Sequence, residues 1–237
     1  MSKTIPLFQK FPHEHLYGIG TKLNLRPCSP GSLPVRAEIV DRYGVGLQRR
    51  SQVVRLRIIT DIDKSGFSPD SFVIAKFYDP LYVLEYERQN ESVCLASEKA
   101  EKTAYEILRD FQGTDIPKFF GEYVWDRSIS QYSSIKVILL EFVEGPSLSE
   151  CYHYSKLTAN ELKELKTQVI DVICRIHQRN IYHRDINSSN ILLRDGRPVI
   201  VDFGIASNPK DINQKNRDEL TDELDIDSTF PSLESMQ

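Results

Sequence analysis

The apolar positions of this 237-residue chain fall with period two over much of its first half and with helical period over parts of the second. From Val35 to Phe77 the chain reads as strands. Val53 to Ile59 alternates apolar and basic residues, the pattern of a half-buried strand. Phe72 to Phe77 predicts a short strand carrying one lysine, Lys76, after a polar, Gly/Pro-punctuated loop at 60–70. Residues 94–111 predict a helix with Cys94, Ser97, Glu101, Ala104, Tyr105 and Leu108 on one face. Two further strands are expected at 119–126 and 136–143, the second broken by Gly145-Pro146. Thr158-Ala-Asn-Glu161 is a capping box. It opens a helix over 159–180 whose stripe is Leu162, Leu165, Val169, Ile173 and Ile176, with Asn180 as its stop. Asp195-Gly196 between the apolar runs Ile191–Leu193 and Val199–Val201 predicts a hairpin.

The two ends lack such patterns. Residues 1–34 carry scattered Pro and Gly and read as a loosely structured lead-in. His13 and His15 within it have no third ligand nearby in sequence and read as loop histidines rather than a metal pair. Residues 208–237 hold eight Asp/Glu and three Lys/Arg, a net of -5 against +1 for the rest. With few apolar residues, they predict a mostly disordered acidic tail, with one short helix near Asp218–Leu224. The expected organisation is therefore α+β: lead-in 1–34, a strand-rich lobe 35–143, a mainly helical lobe 144–207, and the tail 208–237.

Composition narrows the function classes. Hydrophobic residues make up 40% and charged residues 27%, ordinary for a globular protein. A net charge of -4 speaks against a nucleic-acid partner. No apolar run approaches the roughly 18–20 residues of a membrane helix, and Met1 to Lys10 lacks the apolar core of a secretory signal. The four cysteines, Cys28, Cys94, Cys151 and Cys174, are far apart, so neither a disulfide framework nor a zinc site is expected. These features favour an intracellular protein, cytoplasmic or nuclear.

The chemistry concentrates in the second half. His183-Arg184-Asp185 with Asn190 matches the pattern His-Arg-Asp-x-x-x-x-Asn, and seventeen residues after Asp185 an apolar strand leads into Asp202-Phe203-Gly204. Phosphoryl transfer from ATP needs a cation on the phosphates, oxygen ligands for Mg²⁺, and a carboxylate for the hydroxyl proton. Asp185 suits the last role, and Asn190 and Asp202 suit the metal, a hard cation that prefers oxygen. Lys76 in Val73-Ile74-Ala75-Lys76 suits the phosphates. Glu101 falls mid-stripe on a helix face otherwise small or apolar, where a buried carboxylate demands a partner. Lys76 is the natural one; Glu98 is the runner-up to Glu101, and Glu106 faces the other way.

With these residues in place, the stretch from about Val53 to Ala206 resembles the protein kinase superfamily. Ser51-Gln52-Val53, Ala75-Lys76-Phe77-Tyr78-Asp79-Pro80, Glu101-x-x-Ala104-Tyr105 and Ile116-Pro117 before Gly121 look like short kinase-like proteins frequent in fungi. The resemblance implies a bilobal fold with an antiparallel-sheet N-lobe and a truncated C-lobe, and ATP with Mg²⁺ as cofactors. It also implies that the backbone of Glu141 and Val143 holds adenine, that Leu192 floors the adenine pocket, and that Gly46 lies in the phosphate loop with Val53 as the valine after it.

Four features depart from the pattern. If Val53 follows the phosphate loop, the three glycine positions are Gly46, Gln48 and Ser51; a second register uses Gly44 and Gly46. Either way the loop is glycine-poor. Ile74 shares a strand face with Lys76 where a small alanine is usual. Asn187 stands where serine/threonine kinases usually carry lysine. The chain runs only 33 residues beyond Gly204 and carries no Ala-Pro-Glu. That leaves one face of the 159–180 helix to be covered by the tail, a partner or a second copy. Three readings compete: a protein kinase acting on a hydroxyl, Ser/Thr rather than Tyr; a pseudokinase or nucleotide-binding scaffold; and a small-molecule phosphotransferase.

Overall fold

A computed structural model describes residues 14–46, 49–59, 67–82, 90–126, 134–153 and 157–230. His13, the side chain of His15, Gln48 and residues 60–66 of the expected loop lie outside the described residues. The chain divides into two compact units, Met1–Leu95 with Phe120–Leu140, and Ala96–Phe119 with Glu141–Gln237.

The first unit is built on a closed barrel of strands β1 (Lys22–Pro27), β2 (Val35–Gly44), β3 (Gln52–Ile58), β4 (Phe72–Tyr78), β5 (Phe119–Asp126) and β6 (Ser134–Glu141). Their order around the barrel is β1-β2-β3-β4-β6-β5. The lead-in is thus more ordered than its sequence suggests. β1 pairs antiparallel with β2 on one side and with β5 on the other, so it is the strand that closes the barrel. Closure removes the exposed edges an open sheet would keep. Leu23 and Leu25 point into the core while Lys22 and Asn24 face out. Two apolar residues between Gly/Pro-rich flanks are too short a pattern to announce a strand. Tyr17, also from the lead-in, is fully buried. Its ring packs edge-on against Phe77, Tyr82 and Trp125 at centroid distances of 5.2, 5.4 and 5.8 Å. Strict alternation along β3 and β4 sends Val54, Leu56, Val73, Ala75 and Phe77 into the barrel core and leaves Val53, Ile74 and Lys76 on its outer face.

The second unit holds most of helix α1 (Asn90–Ile107), helices α2 (Leu148–His153), α3 (Ala159–Gln178) and α4 (Ile212–Thr229), and the hairpin β7 (Ile191–Arg194) with β8 (Arg197–Ile200). All six residues of the predicted α1 face are buried, although the helix runs 90–107 and gives way to a 3-10 turn at Arg109–Phe111. α3 begins at the expected capping box: Thr158 Oγ1 accepts from Glu161 N–H, and Glu161 accepts from Thr158 N–H at 2.7 Å. Its stripe is buried as predicted, with Val172 added. The turn of the hairpin has positive φ at both Asp195 (51°) and Gly196 (78°), as a two-residue mirror-image turn requires.

The tail is where expectation and structure part. Residues 212–229 form a continuous 18-residue helix, which contains and extends the short helix expected near Asp218–Leu224 and replaces the disorder expected around it. Asp211 caps it by accepting from Gln214 N–H at 2.9 Å. Its buried stripe is Asp218, Asp222, Ile226 and Thr229. The spacing is helical, but half of the stripe is aspartate, so a search for apolar periodicity passes over it. α4 packs on α3, with His177 Nε2 2.9 Å from Asp222 Oδ2 and Lys166 Nζ 2.8 Å from Asp227 Oδ1. The α3 face that required a cover receives it from the tail.

Candidate active site

α3 ends at Gln178, and Asn180 turns the chain through a left-handed conformation (φ 59°). Its side-chain amide then donates to Asn208 Oδ1 and Pro209 O, both at 2.9 Å. From there the chain runs through Tyr182, whose backbone exchanges two hydrogen bonds with Ser207 at 3.0 and 2.9 Å. His183 is fully buried. Its Nε2 lies 3.0 Å from Val201 O, which can only accept, so Nε2 carries the proton. Nδ1 is then the acceptor for Asp185 N–H at 3.3 Å. One imidazole ties Val201, the residue before Asp202, to Asp185.

Asp185 is held by its own loop. Asn187 Nδ2 donates to Asp185 Oδ1 at 3.0 Å, and Asn190 Nδ2 donates to Oδ2 at 3.1 Å and to the Asp185 carbonyl at 2.9 Å. The asparagine at 187, which replaces the usual lysine of the resemblance, thus orients the carboxylate rather than reaching past it. With its nitrogen on Asp185, the Asn190 amide carries its oxygen on the opposite side. The Asn190 carbonyl accepts from Val201 N–H at 3.0 Å, which places Asn190 beside the residue preceding Asp202.

Asp202 has φ 72°, a rare conformation for a residue with a side chain. Gly204 packs against it so closely that a Cβ there would lie 3.2 Å from Asp202 Oδ1 and 3.8 Å from Glu101 Oε2. Glu101 on α1 is therefore a neighbour of the Asp202 segment, and it is fully buried, whereas Glu98 keeps 8% exposure. Tyr105, one turn on, stacks on Phe119 and meets Phe203 edge-on. Burial pushes its hydroxyl well above the ordinary tyrosine range, and the carboxylates of Glu101, Asp202 and Glu141 push the same way. Four candidate residues of the second unit thus gather there: Asp185 and Asn190 in one loop, Asp202 joined to it through Val201, and Glu101 beside Asp202.

Sequence reasoning missed the residues that hold this loop from behind. Asp222, fully buried, accepts from His183 N–H at 2.8 Å and from Arg184 N–H at 2.5 Å, besides contacting His177. Asp218 accepts from Ser207 Oγ and Gln214 Nε2 and pairs with Arg184 Nε at 3.3 Å. Asp225 accepts from Ile186 N–H at 3.3 Å; partial burial pushes its carboxyl above the ordinary range. Thr229 Oγ1 donates to Ile186 O at 3.1 Å, and Tyr152 Oη donates to Thr229 O at 2.9 Å. The only signal in the sequence was the i, i+4 spacing of aspartates in the segment classed as tail.

The remaining candidates occupy other places. Val143 is buried in the second unit, and Leu192 forms a bridge with Ser147. Glu141 accepts from Lys118 N–H at 3.0 Å and pairs with Arg194 at 2.9 Å. In the first unit Val53 and Lys76 are direct cross-strand partners on the outer barrel face, and Lys76 is only 4% exposed. Gly46 has φ 141°. Its N–H donates to Gln52 Oε1 at 2.7 Å and its carbonyl accepts from Gln52 Nε2 at 3.1 Å, so a buried side chain occupies both of its backbone groups.

The donor set fits Mg²⁺ in kind. Asp202 and Asn190 offer hard oxygens. Among the described residues no three His, Cys, Asp or Glu side chains gather into an all-protein metal cage. Among the described residues no helix is long and apolar enough to cross a membrane.

Comparison with known proteins identifies the family. The family model described as "Protein kinase domain" matches residues 90–224, more than half of the chain, and its end falls within α4. The chain is 27% identical over 157 residues to a probable serine/threonine-protein kinase, YbdM, of Bacillus subtilis, covering 63% of this chain and 57% of that protein. It is 33% identical over 101 residues to the serine/threonine-protein kinase pak-2 of Caenorhabditis elegans, covering 42% of this chain and 18% of that protein. A probable bifunctional tRNA threonylcarbamoyladenosine biosynthesis protein of Methanosphaera stadtmanae is 27% identical over 96 residues, 40% of this chain and 17% of that one. The chain therefore spans little more than half of the first relative and much less of the others. With the protein kinase domain model matching more than half of its length, the chain belongs to the protein kinase superfamily.

Proposed function

We propose that this protein transfers the γ-phosphoryl group of ATP to a hydroxyl of a protein substrate, serine or threonine in preference to tyrosine. The observation that carries the reading is the fixing of Asp185. Both of its carboxylate oxygens take side-chain amide donors from its own loop, and its backbone N–H and carbonyl are fixed by His183 and Asn190. A carboxylate held at this precision can orient an acceptor hydroxyl and receive its proton as the O–P bond forms. Asn190 Oδ1 and the Asp202 carboxylate are the ligands for Mg²⁺, which, when bound, neutralises charge on the phosphates. By the family resemblance Lys76 is assigned to the phosphates and Glu101 to aiming that lysine. Glu141, Val143 and Leu192 are assigned to adenine, Gly46 to the phosphate loop, and Val53, at the start of β3, to the nucleotide as the valine after that loop. No nucleic-acid or membrane partner is assigned, and an intracellular setting is part of the proposal.

The test is transfer of radiolabelled γ-phosphate from Mg²⁺–ATP to a mixed protein substrate, comparing the wild type with Asp185→Asn. Loss of about a thousandfold or more is expected for removing a group used in the transition state. Equal transfer by the variant would remove Asp185 from the mechanism.

One observation favours a second reading, a nucleotide-binding scaffold without transfer. The Gly46 N–H, which a phosphate loop would offer to an anion, is already given to Gln52. A thermal shift with Mg²⁺–ATP but no transfer to any acceptor would select this reading.

A further inference from the structure

We infer that Asp218 is a positioning residue that supplies, from inside the fold, the anion bracing the catalytic loop against the segment after Gly204, so that no phosphorylated residue is needed there. The inference rests on the phosphoryl-transfer reading and assigns the regulation of that site.

Asp218 is 2% exposed and engages three groups on three pieces of chain. Its Oδ1 accepts from Gln214 Nε2 at 2.6 Å and forms an ion pair with Arg184 Nε at 3.3 Å, and its Oδ2 accepts from Ser207 Oγ at 2.5 Å. Arg184 immediately precedes Asp185. Ser207 is the third residue after Gly204, and its backbone is bonded twice to Tyr182. One carboxylate thus fixes the spacing between the segment of the proton acceptor and the segment of the metal-type aspartate.

The brace has strain to hold. Arg184 lies at φ 65° and Asp202 at φ 72°, both in the left-handed region that residues with side chains avoid. Such conformations persist only where their surroundings over-determine them. Asp222 fixes the Arg184 amide, and Asp218 fixes its guanidinium. Without Asp218 the arginine keeps one restraint of two, and Asp185 moves with it.

Kinases that order their activation loops by phosphorylation do so by forming a new arginine–phosphate pair. Here the connection between Gly204 and α4 is residues 205–211 only, and a buried carboxylate already sits on Arg184. The anion is therefore supplied by the fold, and the catalytic loop is ordered as the chain is made.

The experiment uses the full chain and compares wild type, Asp218→Asn, Asp218→Glu and Ser207→Ala. The turnover number of Asp218→Asn is expected to fall about tenfold or more, with KM for Mg²⁺–ATP within about twofold, because geometry rather than nucleotide binding is lost. Asp218→Glu, which keeps the charge, is expected to recover part of it, and Ser207→Ala to show a smaller fall in the same direction. Amide exchange at Tyr182–Ile186 and Ile205–Ser207 is expected to rise about tenfold in Asp218→Asn while the centre of α3 is unchanged. Phosphatase treatment of the wild type is expected to leave its rate as it was. Unchanged exchange in Asp218→Asn, or a wild type that loses activity with phosphatase, overturns the inference. If Asp218→Asn loses its cooperative melt, exchange at Tyr182–Ile186 in Ser207→Ala decides instead, and an unchanged rate there overturns it. If the wild type transfers no phosphate at all, that failure belongs to the kinase reading, and the exchange comparison alone decides the brace.

Discussion

α3 and α4 are helices of similar length in the same unit, and they are held by opposite means. α3 buries Leu162, Leu165, Val169, Val172, Ile173 and Ile176, an apolar stripe behind a capping box. α4 buries Asp218, Asp222, Ile226 and Thr229. The first helix is attached by area removed from water. The second is attached by carboxylates that collect backbone N–H groups, a guanidinium and an imidazole. A buried carboxylate is tolerable only when such donors surround it; here the backbone N–H groups and the guanidinium come from the His183–Ile186 stretch, and the imidazole is His177 of α3. What holds α4 in place is therefore also what shapes the site, whereas α3 reaches it only through His177 on Asp222.

Several substitutions sharpen or break this contrast. The largest loss of stability is expected from Asp222→Ala, which orphans the amides of His183 and Arg184 and the His177 ring. A cost of about 3–5 kcal/mol is expected by urea unfolding. A cost under about 1 kcal/mol would mean α4 is only resting on the surface. Leu165→Ala in α3 is expected to cost about 2–4 kcal/mol, as a cavity in an apolar seam. It should leave exchange at the catalytic loop unchanged once global stability is allowed for. Removing either cap is expected to cost about 1 kcal/mol, Thr158→Ala for α3 and Asp211→Ala for α4. Equal costs would show both helices to be integral to the fold.

The smallest effect concerns pH. Asp225 has its folded carboxyl raised above 3.8, first by burial and then by Asp222 and Asp185. The folded state therefore binds its proton more tightly than the unfolded chain. Its ionisation works against folding at neutral pH, and that opposition is relieved as pH falls through the raised value. Asp225→Asn keeps an oxygen for the Ile186 amide and removes the charge. Stability at neutral pH is expected to hold or rise slightly, with a changed slope in the acid limb of a melting-temperature profile. A clear loss at neutral pH would show that the charge itself is needed.

The contrast also explains what was legible in the sequence. Period-two and helical-period apolar patterns announced β3, β4, α1 and α3 because those elements bury hydrocarbon. The Asp195-Gly196 turn was legible because its backbone needs two positive φ values. Asp185, Asn190 and Asp202 stood out by spacing, and Glu101 by being a carboxylate on a buried face. β1 was missed because it presents only Leu23 and Leu25 between turn-forming residues, and its order comes from pairing with two distant strands. Of α4 only a short helix near Asp218–Leu224 was legible, because an aspartate stripe looks like solvated acidity until its donors are placed around it. Asp218 and Asp222 were hidden for that same reason, not for lack of periodicity.

The central claim is that an acidic helix is the structural backing of the catalytic loop. Amide hydrogen exchange of the wild-type chain tests it most directly, read at His183 and Arg184. The account requires these two amides, both bonded to Asp222, to exchange as slowly as those of Val172 and Ile173 in the centre of α3. Exchange at the rate of an exposed loop would contradict it.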